Sequence, residues 1–119
     1  MGMHLLMDGY SDDVAALSKP SLVRRLLKSL PKKLGMTEIS RAKVIDYKAK
    51  NPKDSGVTGN IMLAESHITI HTFPNRGYVA IDVFSCKPFR TRKVTAQLKK
   101  EFSMGKADVR VIGRKMGDW

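Results

Sequence analysis

The sequence predicts an α+β two-layer sandwich, a mainly antiparallel sheet with two helices on one face. Three observations carry this. Strand-like runs outnumber helix-like ones, the central strands follow one another through short turns, and both helix patterns pair an apolar stripe with a basic side. No linker or internal repeat divides the 119 residues, a length suited to one core, so a single domain over residues 1–119 is expected.

The apolar run from Met3 to Met7, stopped by Asp8-Gly9, reads as a buried first strand. Ser18-Lys19-Pro20 then reads as a helix entry, because proline suits the first turn and serine can cap it. Leu22, Val23, Leu26, Leu27 and Leu30 follow at helical spacing. Pro31 is expected to kink or end that helix, and Lys32-Lys33-Leu34-Gly35 to form its exit. Between Glu38 and Tyr47 the period is unclear, although Val44-Ile45 and Tyr47 favour a strand.

Asn51-Pro52-Lys53-Asp54-Ser55-Gly56 carries the turn residues of a loop. Val57 to Leu63, His67 to Phe73 and Tyr78 to Phe84 are three extended runs, the last two joined at Pro74-Asn75-Arg76-Gly77 as a hairpin. Pro88 can open a second helix, in which Val94, Leu98 and Phe102 recur every four residues and should pack on the sheet. Val109 to Ile112 reads as a closing strand.

The chain holds 22 Lys+Arg against 11 Asp+Glu, a formal charge of +11, which raises the question of a polyanionic partner. The clusters Arg24-Arg25, Lys32-Lys33, Arg90-Thr91-Arg92-Lys93 and Lys99-Lys100 fall mostly where helices show a solvated face. The aromatic residues do not interleave with them as a stacking platform would, and no zinc-finger, helix-turn-helix or RNP-like pattern accompanies the charge. No specific nucleic-acid partner is therefore expected, and a basic nucleic-acid-binding module stands as the alternative from a different functional class. The lone Cys86 excludes an intramolecular disulfide and suits a reducing compartment. The opening residues have no basic leader, and no run approaches the roughly 20 apolar residues of a membrane span. The expectation is a cytoplasmic protein without membrane contact.

The informative stretch runs from Ala64 to Pro74. If it is extended, His67, Thr69 and His71 share one face while Ile68 and Ile70 share the other. An exposed polar face over a core face would account for that alternation without any chemistry. A zinc site could recruit His67, His71 and Cys86, but a four-residue spacing along a strand does not converge two imidazoles, and no second cysteine exists. No metal is expected. A serine hydrolase built on Ser66 would lack the Gly-x-Ser-x-Gly elbow and an oriented third member.

Glu65-Ser66-His67-Ile68-Thr69-Ile70-His71-Thr72, followed by Gly77-Tyr78-Val79-Ala80-Ile81-Asp82-Val83-Phe84-Ser85-Cys86, resembles the small prokaryotic S-adenosylmethionine decarboxylases, which are pyruvoyl-dependent. Gly56-Val57-Thr58-Gly59 and the opening His4-Leu5-Leu6-Met7-Asp8 extend the resemblance over nearly the whole chain. It implies a proenzyme that cuts its own backbone between Glu65 and Ser66, giving residues 1–65 as a β chain and 66–119 as an α chain. Ser66 would become the pyruvoyl cofactor, which forms a Schiff base with a substrate amine and accepts the electrons of the lost carboxylate, without pyridoxal phosphate or metal.

The same resemblance makes Cys86 the proton donor to the substrate carbon and gives His71 its role mainly in processing, where an imidazole titrating near neutrality suits proton transfer. Thr58 occupies the place of a family hydroxyl, usually serine, that holds the cleavage site; as a β-branched residue it also suits a strand on its own account. For Asp82, orienting neighbours and contacting substrate are equally open, and His67 reads as a structural neighbour. The implied substrate is S-adenosylmethionine, in polyamine biosynthesis, and the implied assembly is a homodimer with its active sites near the subunit interface. A sheet covered on one face only leads to the same expectation of a dimer.

The chain departs from the family pattern at Phe73-Pro74-Asn75-Arg76, where tryptophan precedes the proline and a glutamate that binds the ribose hydroxyls follows it. Asn75 can still hydrogen-bond a diol, without the charge assistance. The adenine-stacking aromatic of the family would fall near Pro52, with Tyr47 as the nearest aromatic. The same chemistry redirected to L-ornithine or L-arginine is the alternative, and its pocket would need a carboxylate such as Asp8, Asp46 or Asp54.

Overall fold

The computed structural model describes residues 2–115 and Gly117. Its elements run β1 (Gly2–Tyr10), α1 (Val14–Leu17), α2 (Pro20–Lys33), β2 (Lys43–Tyr47), β3 (Gly56–Leu63), β4 (Ser66–Phe73), β5 (Tyr78–Ser85), α3 (Thr91–Glu101) and β6 (Lys106–Arg114), with single 3-10 turns at Pro52–Asp54 and Pro74–Arg76. The six strands form one antiparallel sheet in the order β2-β3-β4-β5-β1-β6. β1 therefore lies between the two strands that flank α3 in sequence.

Alternation decides the two faces of the sheet. Leu5 and Met7 of β1, Val57, Ile61 and Leu63 of β3, Ile68 and Ile70 of β4, and Val79, Ile81 and Val83 of β5 are buried beneath the helices. The stripe Leu22, Val23, Leu26, Leu27 and Leu30 of α2 meets the β2–β4 side, and Val94, Leu98 and Phe102 cover the β1–β6 side from α3. Gly59 permits the close approach of α2: a Cβ there would lie 2.7 Å from Val23 Cγ1 and 2.9 Å from Leu27 Cδ1. Thr72 is the buried polar pin of this core. Its hydroxyl donates to the Leu17 carbonyl at 2.7 Å and accepts from the Val57 amide at 2.9 Å, so burial leaves neither role unsatisfied.

Local details differ from the sequence expectation. Pro31 does not end α2, which continues to Lys33, because Lys32 and Lys33 can still close the last turn beyond the proline. Lys19 rather than Ser18 occupies the N-cap position, and Ser18 Oγ instead donates to the Val14 carbonyl at 2.6 Å. The one-turn α1 was not expected; the Asp13 carboxylate caps it by accepting from the Ala16 amide at 3.0 Å, which also lowers the Asp13 pKa. α3 starts at Thr91, three residues after Pro88.

Candidate active site

The uncovered face of the sheet carries the polar residues of the motif. Pairing register places Ile45, Thr58, His71, Ala80, Asp8 and Asp108 in one row across all six strands. Within that row Thr58 Oγ1 and His71 Nδ1 are 3.2 Å apart, and both side chains are half-buried. Ala80 separates His71 from Asp8, so a small side chain floors a gap of about 10 Å spanning two strand spacings. Below the gap, Phe73 stacks on Tyr78 with ring centroids 5.5 Å apart, and Tyr78 packs against Tyr10 at 5.7 Å. The Tyr78 hydroxyl donates a short hydrogen bond to Asp8. That bond, reinforced by partial burial, pushes the phenol pKa up to about 12.

Asp82 lies on the same face, registered with Thr69 on one side and Leu6 on the other. Its Oδ1 is 3.1 Å from His4 Nε2. His4 meets the His67 ring edge-on at 6.3 Å, His67 packs on Phe84 at 5.5 Å, and the Arg114 guanidinium sits over Phe84 at 4.6 Å. Partial desolvation, followed by the nearby His4 charge, holds the His67 imidazole below the usual histidine range. His4 belongs to the opening motif but is given no role from the sequence alone, although its alternation with Leu6, Asp8 and Tyr10 in β1 is the signal that puts it on this face.

Ser66 and Cys86 occupy a different place. Ser66 opens β4 just after the Ala64-Glu65 turn, and the Cys86 amide donates to Ser66 Oγ at 3.3 Å. Glu65 has φ +58°, the left-handed region that costs a non-glycine residue about 1 kcal/mol or more. Neighbouring backbone holds the turn in that state: the Ala64 amide donates to the Thr37 carbonyl at 2.8 Å, and the Ile39 amide to the Met62 carbonyl at 3.2 Å. Both Ser66 and Cys86 are half-buried, whereas Glu65 is exposed.

Ser66 and His71 are thus not brought together within one chain. They stand five positions apart along the strand, about 16 Å, and Ser66 shares the phase of buried Ile68 and Ile70 while His71 shares that of His67. Among the described residues no three His, Cys, Asp or Glu side chains converge as metal ligands, which leaves the trio His67, His71 and Cys86 apart. No helix among them is long and apolar enough to cross a membrane.

The departing segment is knitted to the loop before β3. Asn75 Nδ2 donates to the Pro52 carbonyl at 3.0 Å, Arg76 Nε donates to the Lys53 carbonyl at 3.1 Å, and Arg76 Nη2 pairs with Asp54 at 2.7 Å. The guanidinium charge is therefore compensated. All three carboxylates considered for a cationic side chain have partners: Tyr78 for Asp8, Lys48 at 3.5 Å for Asp46, and Arg76 for Asp54.

The model of the S-adenosylmethionine decarboxylase family matches residues 3–115. The chain is 35% identical over 114 residues to an S-adenosylmethionine decarboxylase proenzyme of Clostridium botulinum (strain Loch Maree / Type A3), covering 95% of this chain and 93% of that one. A proenzyme of the same description from Parasynechococcus marenigrum (strain WH8102) is 36% identical over 86 residues, covering 72% of this chain and 62% of the relative. Among solved structures, the adenosylmethionine decarboxylase of Aquifex aeolicus VF5 superposes with a TM-score of 0.79 at 28% identity, covering 99% of this chain and 93% of its own.

Proposed function

The chain belongs to the S-adenosylmethionine decarboxylase family, and from that premise we propose that it cuts itself between Glu65 and Ser66 and then decarboxylates S-adenosylmethionine at the pyruvoyl group formed from Ser66. The strained Glu65–Ser66 junction carries this reading. A left-handed non-glycine residue directly precedes the one serine whose hydroxyl is held by the Cys86 amide.

In processing, Ser66 Oγ attacks the Glu65 carbonyl carbon and the peptide C–N bond breaks, so the amide becomes an ester and the Ser66 nitrogen a free amine. Loss of the Ser66 α-proton expels the Glu65 carboxylate by β-elimination. One water then hydrolyses the resulting enamine, releasing ammonia and leaving the 66–119 chain with its new N-terminal group. That group supplies the electron sink for loss of the substrate carboxylate. Cys86, whose backbone amide donates to Ser66 Oγ, is assigned the return of a proton from its thiol to the substrate carbon.

His71, far along β4, and Thr58, beside it on β3, are too distant to serve the Ser66 of their own chain, so we assign them to the Ser66 of a second copy across the uncovered sheet face, with Ser66 turning at the Ala64-Glu65 turn out of phase with Ile68 to meet them. Each working site then takes Ser66 and Cys86 from one chain and the Thr58–His71 pair from the other. Exposed Tyr10, Met62 and Ile112 on that face supply apolar area for the contact. The homodimer is thus part of the chemistry, in a cytoplasmic setting that suits the free thiol.

A second reading rests on Asn75. Its amide is tied to the Pro52 carbonyl and carries no charge, so the ribose diol loses a charge-assisted anchor while Ser66, His71 and Cys86 of the family motif are kept. Asp8, across Ala80 from His71, is then the carboxylate placed to meet the cationic end of L-ornithine or L-arginine. Intact-mass spectrometry of fresh protein, followed by carbon dioxide release from the three substrates, tests both. A cut at Glu65–Ser66 and release from S-adenosylmethionine is the expected result; release from ornithine or arginine alone moves the assignment to the second reading. A chain that stays whole and inactive overturns both.

A further inference from the structure

Nine of the eleven net positive charges sit on the helical layer. Pro20–Lys33 and Arg90–Glu101 together hold ten Lys and Arg, all exposed, against Glu101 as their one carboxylate. Arg25 takes Glu101 in an ion pair between the two helices, and the other nine cations have no carboxylate partner among the described residues. Between α2 and α3 lies a cleft of about 1000 Å³ bordered by Arg25, Lys33, Arg90, Lys93 and Lys100, with Phe89 in its wall.

We propose that this cleft and the two basic helix faces beside it bind the phosphate backbone of a nucleic acid. Unrelieved like charge repels itself and destabilises the compact state, whereas a polyanion laid along the helices neutralises it and releases counterions. The charged faces run about 21 Å along α2 and about 16 Å along α3, longer than a single phosphate group can use. An anionic membrane fits less well. Helices that lie on bilayers insert apolar side chains, but the leucines of α2 are buried against the sheet and none of the exposed large hydrophobic residues is on α2 or α3. Phe89, half-buried, is the one aromatic residue of the cleft, so contact is to the backbone rather than to stacked bases. The layer faces away from Thr58, His71 and Asp82, which separates this binding from the decarboxylase site.

Fluorescence anisotropy with a labelled 30-nucleotide RNA hairpin and a DNA duplex of matching sequence tests the proposal on the full chain across a salt series. The expected result is micromolar to ~100 μM binding at physiological salt that weakens steeply with added salt and little with sequence. The triple variant Lys33→Glu, Lys93→Glu, Lys100→Glu should lose at least tenfold in affinity and flatten the salt slope. Lys43→Glu, Lys50→Glu, Lys106→Glu makes the same charge change elsewhere on the surface and should lose less than threefold. Comparable losses in both variants would mean that net charge alone attracts the probe, and the site would be rejected. Rejection would also follow from competition by tripolyphosphate at equal phosphate concentration, or from binding only to vesicles containing anionic lipid. The relative strength of the RNA and DNA arms identifies the preferred backbone.

Discussion

Thr58 and His71 face each other across β3 and β4 with Oγ1 and Nδ1 3.2 Å apart, at the far end of β4 from the Ser66 of their own chain. A site shared by two chains makes a specific demand. Ser66→Ala and His71→Ala should each abolish or strongly slow cleavage when alone, the latter by roughly 10² or more. Co-expressed, they should recover cleavage of the His71→Ala chains, because a mixed dimer contains one site with both groups intact. Mass spectrometry of the mixture reads this directly, and no recovery would place the whole site within one chain.

The hydroxyl of Thr58, rather than its branched shape, is the part that His71 contacts. Thr58→Ser should therefore keep processing within about threefold, whereas Thr58→Val, which keeps the shape, should slow it by roughly fivefold or more through the lost hydrogen bond of about 1 kcal/mol or above. Time courses of cleavage in freshly translated protein check the pair. Equal rates for both variants would make Thr58 only a strand residue.

Glu65 holds φ +58° immediately before the bond proposed to break. Glycine adopts that conformation without penalty, so Glu65→Gly placed in the uncleavable Ser66→Ala chain should raise stability by about 0.5–1 kcal/mol. In the cleavable chain the same relief should slow self-cleavage by no more than about fivefold, since the strain lost is of that size. Denaturant unfolding and cleavage kinetics report the two effects separately, and a faster cut in the glycine variant would show that strain is not used.

Much of this fold could be read directly from residue order. Ile68 and Ile70 alternate with His67, Thr69 and His71, and the α2 and α3 stripes repeat at helical spacing, so local periodicity revealed both the faces and the layers. Ser66 and Cys86 were legible because a local motif carries them. The His4–Asp82 and Tyr78–Asp8 pairs were not, since their partners stand 78 and 70 residues apart and meet only through the register of β1 with β5. The one-turn α1 was hidden for a related reason: a single side-chain cap on Asp13 and the distant hydroxyl of Thr72 hold four residues that have no period of their own.

Tyr78 gives a pH test of the gap beside His71. Its folded pKa is raised from 10.0 to about 12, so the neutral phenol donating to Asp8 is favoured by folding. The contribution is complete below pH 10 and is lost as pH rises through about 12. Tyr78→Phe should destabilise the chain near pH 8, and the difference in Tm from the parent should shrink steadily between pH 10 and 12. A difference that stays constant over that window would mean the loss comes from packing against Phe73 and Tyr10 alone.

The position of β1 decides what the proposed cut at Glu65–Ser66 would do to the whole molecule. β1 belongs to residues 1–65 but is hydrogen-bonded to β5 on one side and β6 on the other, both from residues 66–119, and β3 pairs with β4 across the cut itself. Leu5 and Met7 of β1 lie in the same buried core as Val83, Leu98 and Phe102. Separating the fragments would break three ladders and expose that core, a loss far larger than one peptide bond's constraint on the chain. The cleaved protein should therefore keep both fragments in one particle by native mass spectrometry and separate only in denaturant. It should also unfold in a single cooperative transition within a few degrees of the Ser66→Ala chain. Independent release of residues 1–65 under native conditions would contradict the strand order on which the site depends.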